Sequence, residues 1–441
     1  MKKVLILGAG RSASSLIQYL LKAAEQHEYE ITVADASLEP VKQKTQNHKN
    51  ARPVALDIND AIHTKQEIER ADIVISMLPA MLHPQIAKMC VALKKSMVTA
   101  SYVSPEMKEL DAEARKAGII LMNECGLDPG IDHASAMKVI DHVYAAGGKF
   151  LGFKSYTGGL IAPESNDNPW GYKFTWNPRN VVLAGQGTAK YIENGTYAYI
   201  PYHKLFSRIE KIHVEGTGDF EGYANRDSLS YRPLYGIDNI PTMIRGTLRM
   251  PGYCDGWNAF VQLGMTDDTY HVENSEKMTY AQFTESFIPS GKGDMKDRLA
   301  KYIGIPAKGN VMEMLDWLGI FGDKPVTLKD ATPAQILQNL LEEKWKLKEG
   351  DIDMIAMQHQ FEYEIDNKKH RLFSSLVVKG DDATYTAMAK TVGLPIGIIT
   401  KHILNGDIKL QGVCIPTVKE IYTPLLHELE SMGIKFVEKE V

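Results

Sequence analysis

The sequence predicts an α/β fold: a doubly wound parallel sheet, with a mixed α/β part that carries a helical insertion. Three observations predict it. Short apolar runs alternate with amphipathic helical stretches through the first third of the chain. A glycine-rich turn follows the first apolar run. From Phe150 the alternation gives way to strand-like and then helical signals.

Val4–Leu7 reads as a strand, and Gly8, Ala9, Gly10, Arg11, Ser12 and Ala13 follow at once. Leu16, Ile17, Leu20 and Leu21 then share one face of a helix, and Ile31–Ala34 is a second strand ending in Asp35. Gly8 suits the tight turn out of the strand. Gly10 lets the backbone approach a ligand, and Ala13 is small enough for close helix–strand packing. Strand, glycine turn, helix, strand and acidic residue is the order of a dinucleotide-binding βαβ unit, with phosphates on the free N–H groups at the helix start.

The alternation continues. Pro53–Leu56 is a strand ending at Asp57, and Asp60–Arg70 is a helix. Ala71–Met77 is a strand closed by Leu78 and Pro79, and Pro84–Lys94 is a helix with proline near its first turn. Met97–Ser101 is a strand, Pro105–Ala117 a helix stopped by Gly118, and Ile119–Met122 a further strand. In such sheets ligands lie beyond the carboxyl ends of the strands. That selects four clusters: Gly8–Ala13, Leu78–Pro79, Ser101–Tyr102 and Gly126–Gly130.

From Phe150 to about Met265 the pattern is strand-like. In Asn168–Trp176 an aromatic stands at every second position, which predicts one apolar face of an extended segment. Thr279–Trp345 reads as helical, with Thr332 capping and Pro333 opening its last helix. Met354–Tyr363 and Arg371–Lys379 flank Asp366-Asn367-Lys368-Lys369, a hairpin signal. The expected domains are 1–129 with about 384–441, 130–268 with about 350–383, and a helical domain over 269–349.

A formal charge of −5 gives no reason to expect a nucleic acid or an anionic membrane as partner. No apolar stretch approaches the roughly 18 residues a membrane helix needs. The apolar run after Lys2 and Lys3 is too short for a signal peptide. Cys90, Cys125, Cys254 and Cys414 show no metal spacing and read as reduced thiols of a cytoplasmic protein.

At these motifs the chain resembles saccharopine reductase, the glutamate-forming saccharopine dehydrogenase family, over nearly its full length. The matching stretches are Met122–His133, Ser155–Glu164, Asp167–Trp176, Asn225–Asp227 and Ile244–Arg249. The resemblance implies a Rossmann-like domain, a mixed α/β domain for substrate binding and homodimer formation, and a small helical domain. It implies reversible hydride transfer between saccharopine and the imine of aminoadipate semialdehyde with glutamate. With the βαβ motif it places cofactor contacts at Gly8, Gly10, Arg11, Ser12, Ala13, Asp35, Asp57, Leu78 and Leu127, Asp35 being a departure from the arginine-containing turn of the fungal enzymes.

A substrate with three carboxylates needs fixed cations. Arg226 and Arg245 are the candidates, since arginine grips a carboxylate with two parallel hydrogen bonds. Thr247 could bond a carboxylate oxygen, Ser101 the substrate or a ribose, and Arg249 is a lesser candidate. Imine chemistry needs a proton donor or acceptor near the nitrogen. Asp128 could fill that role with Tyr102 orienting the amine; Asp128 equally suits a helix cap before Ile131. His133 reads as structural, and the role of Lys173 is open. Many relatives have cysteine where this chain has Thr157, so a general-acid role does not carry over to it. Asp35 favours a free ribose 2′-OH and hence NAD(H). Arg11 could still reach a 2′-phosphate, which leaves NADP(H) as the alternative. Two rival functions are a carboxynorspermidine synthase-type imine reductase and a non-catalytic NAD(P)-binding sensor.

Overall fold

A computed structural model describes all residues, 1–441, as two compact units. The first comprises 1–149, 364–368 and 376–438; the second comprises 150–363, 369–375 and 439–441.

The first unit is built on strands β1 (Lys2–Leu7), β2 (Tyr29–Asp35), β3 (Ala51–Ala55), β4 (Ile73–Ser76), β5 (Ser96–Thr99) and β6 (Ile120–Met122). A seventh strand, Gly412–Cys414, joins them beside β6. The order is Gly412–Cys414, β6, β5, β4, β1, β2, β3, and every pair is parallel. All four residues of β4 and the last four of β1 are buried, as expected where helices cover both faces. One face packs Leu5, Leu7, Val74, Met97 and Leu121 on Ile68, Ile86, Cys90, Met107 and Ala114. The other carries the helices Ser14–His27 and Ala387–Asn405. These two cross closely at Gly393, where a Cβ would stand 2.8 Å from the Leu16 amide nitrogen.

Several elements differ in detail from the sequence expectation. The helix Leu38–Thr45 lies where no element is expected. The stretch 105–117 is two helices, Pro105–Glu109 and Asp111–Ala117, joined at Leu110. Gly118 caps the second in the left-handed region, as expected.

The second unit's sheet contains β7 (Lys149–Ile161), β8 (Thr188–Glu193), β9 (Thr196–Pro201), β10 (Ile209–Val214), β11 (Gly218–Ala224), β12 (Met243–Arg249), β13 (Asp353–Ile365) and β14 (Lys368–Lys379). Its main path runs β10, β11, β12, β7, β13, β14 and then the edge strand Val437–Glu440, with β8 and β9 branching from β12. β13 and β14 form the expected hairpin, tightened to the two-residue turn Asp366–Asn367 with both φ positive. Tyr253–Leu263 is a helix inside the stretch read as strand-like. Four helices occupy 280–344, with capping boxes at Thr279/Gln282 and Thr332/Gln335.

Asn168–Trp176 is not the extended, one-faced segment its aromatics suggest. It lies outside every strand, a turn at 168–170 running into irregular backbone, and Trp170, Tyr172 and Phe174 are buried along with Lys173 and Thr175 between them. Tertiary packing overrides the period: the rings stack around Trp345, Tyr253 and Phe260, with centroids 5.1–5.6 Å apart.

In the first unit a half-buried carboxylate ties three helices together. Glu428 accepts from Tyr19 at 2.5 Å and from Lys401 at 2.5 and 2.7 Å, with His402 at 3.7 Å. Burial pushes the Glu428 carboxyl up, but the bonds from His402, Lys401 and Tyr19 outweigh that and hold it at about 2. A carboxyl held low in the folded state stabilises above its ordinary range, and that contribution fades as pH falls toward about 2. His402, raised chiefly by Glu428, has the opposite sign: its contribution is full below the ordinary histidine range and fades as pH rises through the raised value. Glu428→Gln should cost roughly 1–3 kcal/mol at neutral pH. It should also flatten the acid side of a melting temperature against pH curve, a comparison made by calorimetry.

Candidate active site

The carboxyl ends of β1, β4, β5 and β6 define one rim of the first unit. Gly8 leaves β1 with φ +100°, and a Cβ on it would stand 2.9 Å from the Met77 carbonyl oxygen. The turn therefore requires glycine on two counts, conformation and contact. Gly10 faces open space, with no atom within 4 Å of a Cβ built there. Arg11–Ala13 is a single 3₁₀ turn leading into the helix Ser14–His27, with Arg11 exposed, Ser12 half-buried and Ala13 buried.

Asp35 ends β2 and is held on both oxygens. The Ala9 N–H donates to Oδ2 at 2.7 Å and the Ser37 N–H to Oδ1 at 3.2 Å. Lys44, from the helix the sequence did not reveal, donates to the Gly10 carbonyl at 2.8 Å and Ser14 Oγ at 2.5 Å. Burial lowers the Lys44 amine, and Asp35 draws it back up. Asp57, past β3, accepts from the Asn59 N–H at 2.9 Å in an exposed turn. Leu78, past β4, is half-buried, and Leu127 is buried. An exposed backbone turn with a fixed carboxylate on the neighbouring strand end suits the diphosphate and ribose of a dinucleotide.

The middle of the rim is a polar network. The buried ring of His83, first residue of the helix His83–Leu93, lies between Ser76 Oγ (2.8 Å from Nδ1) and Ser101 Oγ (2.7 Å from Nε2). Thr99 Oγ1 is 3.3 Å from Nε2. The Ser101–Val103 loop is fixed from β6. Its Ser101 carbonyl accepts from the Glu124 N–H at 3.0 Å, and the Val103 N–H donates to Glu124 Oε1 at 3.0 Å. The other Glu124 oxygen pairs with buried His133 at 2.7 Å. His133 is thus structural, as expected.

Asp128 and Tyr102 meet at this rim, the Tyr102 hydroxyl donating to Asp128 Oδ1 at 3.5 Å. The reading of Asp128 as a helix cap is not met. Gly130 is the N-cap residue of Ile131–Ala145, and its N–H donates to Asp132 Oδ1 at 2.6 Å.

In the second unit Arg245, Thr247 and Arg249 alternate along one face of β12. Arg245 is buried with its guanidinium carbon 4.1 Å from the centre of the Tyr231 ring. The Asn225–Ser228 loop is fastened to it: the Asn225 N–H donates to the Arg245 carbonyl at 2.7 Å, and the Arg245 N–H to Ser228 Oγ at 2.9 Å. The loop presents exposed Arg226, which forms no ion pair, while neighbouring Asp227 is taken by Lys190 at 2.7 Å. Thr247 lies between Thr157 on β7 and Tyr223 on β11. Thr157 Oγ1 is buried without a hydrogen-bond partner. Arg249 is enclosed by the Tyr172, Tyr253 and Tyr223 rings at 5.2–5.9 Å, a packed cation. Lys173 is buried between Asp351 at 2.7 Å and Asp167 at 2.9 Å. Hydrogen bonds from Lys348 and Lys173 hold Asp167 at about 2.

His83, Lys44 and Glu124 escape sequence reasoning as site residues. The one signal for His83 is its place before Pro84, at a helix start directly after the short turn Ala80–Leu82 that follows Leu78 and Pro79. Gly8→Ala should cost roughly 1–3 kcal/mol through the strained turn. It should also weaken NADH binding in a fluorescence titration; unchanged binding would separate the turn from the cofactor.

Two family models cover the chain in turn. Residues 4–122 match the saccharopine dehydrogenase NADP binding domain, and 126–434 match the saccharopine dehydrogenase C-terminal domain. The chain is 36% identical to saccharopine dehydrogenase [NADP(+), L-glutamate-forming] of Pyricularia oryzae, over 100% of this chain and 99% of the relative. The mitochondrial alpha-aminoadipic semialdehyde synthase of Mus musculus is 35% identical over 99% of this chain and 47% of that protein. The apo saccharopine dehydrogenase (L-Glu forming) of Saccharomyces cerevisiae superposes with a TM-score of 0.89, at 35% identity and 100% coverage of both chains. A homospermidine synthase from Legionella pneumophila shares the fold at a TM-score of 0.59 and 9% identity, over 100% of this chain and 91% of that one. With both parts matched and its full length aligned to relatives more than a third identical, the chain is an oxidoreductase and belongs to the saccharopine dehydrogenase family.

Proposed function

We propose that this chain oxidises saccharopine reversibly to the imine that water splits into glutamate and aminoadipate semialdehyde. The observation that carries the reading is full-length identity to relatives named L-glutamate-forming saccharopine dehydrogenases. When bound, the nicotinamide accepts the hydride from the carbon next to the secondary amine and returns it in reverse. Asp128 takes the proton from the amine nitrogen, and the Tyr102 hydroxyl donates to Asp128 and orients it. Arg226 and Arg245 bind substrate carboxylates. Exposed Arg226 without an ion pair and the orphaned Thr157 hydroxyl support a polar ligand in the second unit. Thr247 and Ser101 add hydrogen bonds to that ligand or to the cofactor.

The cofactor is a nicotinamide adenine dinucleotide, held by the turn Gly8–Ala13 with Asp57, Leu78 and Leu127 along the strand ends. On its form this chain departs from its relatives' NADP(+) names. Asp35 is anchored by two backbone N–H groups, so a negative charge stands where a 2′-phosphate would come. Lys44 is committed to Gly10 and Ser14. These contacts support NAD(H). The family resemblance supports a homodimer, and four free thiols support a cytoplasmic setting. No helix is long and apolar enough to cross a membrane.

Purified protein with saccharopine should reduce NAD+ with kcat/KM at least about tenfold above that for NADP+, a difference of roughly 1.4 kcal/mol. Asp35→Ser should narrow that ratio. Asp128→Asn should lower kcat, whereas Arg226→Met should chiefly raise the KM for saccharopine. Absence of turnover with either cofactor would sink the assignment.

A further inference from the structure

His83 is absent from the reaction as described, yet it holds the centre of the rim. Its ring is buried and reaches three hydroxyls on three successive stretches: Ser76 at the end of β4, Thr99 at the end of β5, and Ser101 beyond it. The tautomer follows from counting the protons of these hydroxyls. Ser76 is fully buried, and its hydroxyl bonds only to Nδ1. If Nδ1 is the bare nitrogen, the Ser76 proton has an acceptor. Nε2–H is then shared between Ser101 Oγ at 2.7 Å and Thr99 Oγ1 at 3.3 Å, a three-centre bond. This leaves one buried hydroxyl proton, that of Thr99, without an acceptor. In the opposite tautomer Nε2 accepts from Ser101, its nearer neighbour, and the protons of both Ser76 and Thr99 are stranded. Each stranded buried group is a penalty, so the first arrangement is favoured.

We infer that His83 is a positioning residue: its Nε2–H engages the Ser101 oxygen and turns the Ser101 proton outward, making that hydroxyl a hydrogen-bond donor to an anionic oxygen of the bound ligand. The other Ser101 contacts agree. Its carbonyl is taken by the Glu124 N–H and its own N–H points to Thr99 Oγ1 at 3.4 Å, which leaves the hydroxyl as the one free donor of a half-buried residue. Two features keep the ring neutral, as the role demands. Burial lowers the imidazole to about 4. The ring also stands at the first residue of a helix, where the positive end of the helix opposes a second proton. The anionic oxygen belongs either to a substrate carboxylate or to a dinucleotide phosphate. The inference rests on the proposed reading of Ser101 as a ligand contact.

Two measurements test it. Nitrogen-15 NMR of the histidine rings in the intact protein at neutral pH, assigned with His83→Gln, should show Nε2 protonated and Nδ1 bare. A protonated Nδ1, or an imidazolium, overturns the inference whether or not the protein turns over saccharopine. The second is a cycle of Ser101→Ala, His83→Phe and the double variant, read as saccharopine KM and kcat with NAD+ and, separately, as the NADH dissociation constant. Each single variant should weaken one ligand roughly tenfold, and the double variant should be no weaker than Ser101→Ala alone. His83→Gln, which keeps an N–H donor, should recover most of the loss, and His83→Leu takes the place of His83→Phe if that variant fails to fold. A rise confined to saccharopine KM assigns the carboxylate; a rise confined to the NADH constant assigns the phosphate. Additive losses in the double variant, or no loss in either single one, overturn the positioning role. Wild-type protein that binds NADH but ignores saccharopine would refute the proposed reaction, while the NMR result and the NADH arm would still decide on His83.

Discussion

The rim depends on the parallel pairing of β1, β4, β5 and β6, four short strands whose ends stop almost in step. Their side chains are buried on both faces, so the register is fixed by the whole core and not by the turns. That constraint sets Gly8 beside Met77 and Ser101 beside Glu124. Parallel strands also end in unpaired backbone groups, and here loops from neighbouring strands take them up. The Glu124 and Cys125 amides donate to Ser101 and Thr99. A site assembled this way is rigid because its polar groups have already spent their hydrogen bonds on one another.

Buried polar residues at such a rim must be satisfied within the protein or by a ligand. His83 and the Glu124–His133 pair answer the first way. Thr157 is the counterpart in the second unit: its hydroxyl has no partner, in the row where Thr247 and Tyr223 follow. Arg226 and Arg249 show the same contrast for charge. Arg249 is buried among three tyrosine rings, whereas Arg226 stands exposed on a loop whose acidic neighbour is occupied by Lys190. The β12 alternation that gives Arg245, Thr247 and Arg249 one face therefore does not give them one role.

The sequence disclosed what depends on local pattern. The βαβ start, Gly118, the Thr332 cap and the hairpin turn at Asp366–Asn367 each follow from residue types at fixed offsets, and each is present. It failed where distant packing decides. Trp170, Tyr172 and Phe174 have the period of a strand but belong to none, because Trp345 and Tyr253, far away in sequence, supply the rings they pack on. Asp128 had the composition of a helix cap, and Gly130 with Asp132 took that place. His83 has only its place before Pro84 at a helix start to mark it, which says nothing of its contacts. Its partners lie 7, 16 and 18 residues away, and only the parallel register gathers them.

The same logic bears on the dinucleotide's 2′ position. An aspartate that merely ended β2 could rotate away from an incoming phosphate. Asp35 cannot do so cheaply, because turning it strands the Ala9 N–H in the glycine turn itself and the Ser37 N–H before the next helix. Its charge is thereby coupled to the shape of the turn that would hold the diphosphate. Lys44 completes the coupling from the other side, gripping Gly10 and Ser14 across the same turn. A substitution at Asp35 therefore acts on the shape of the turn as well as on the charge at the end of β2.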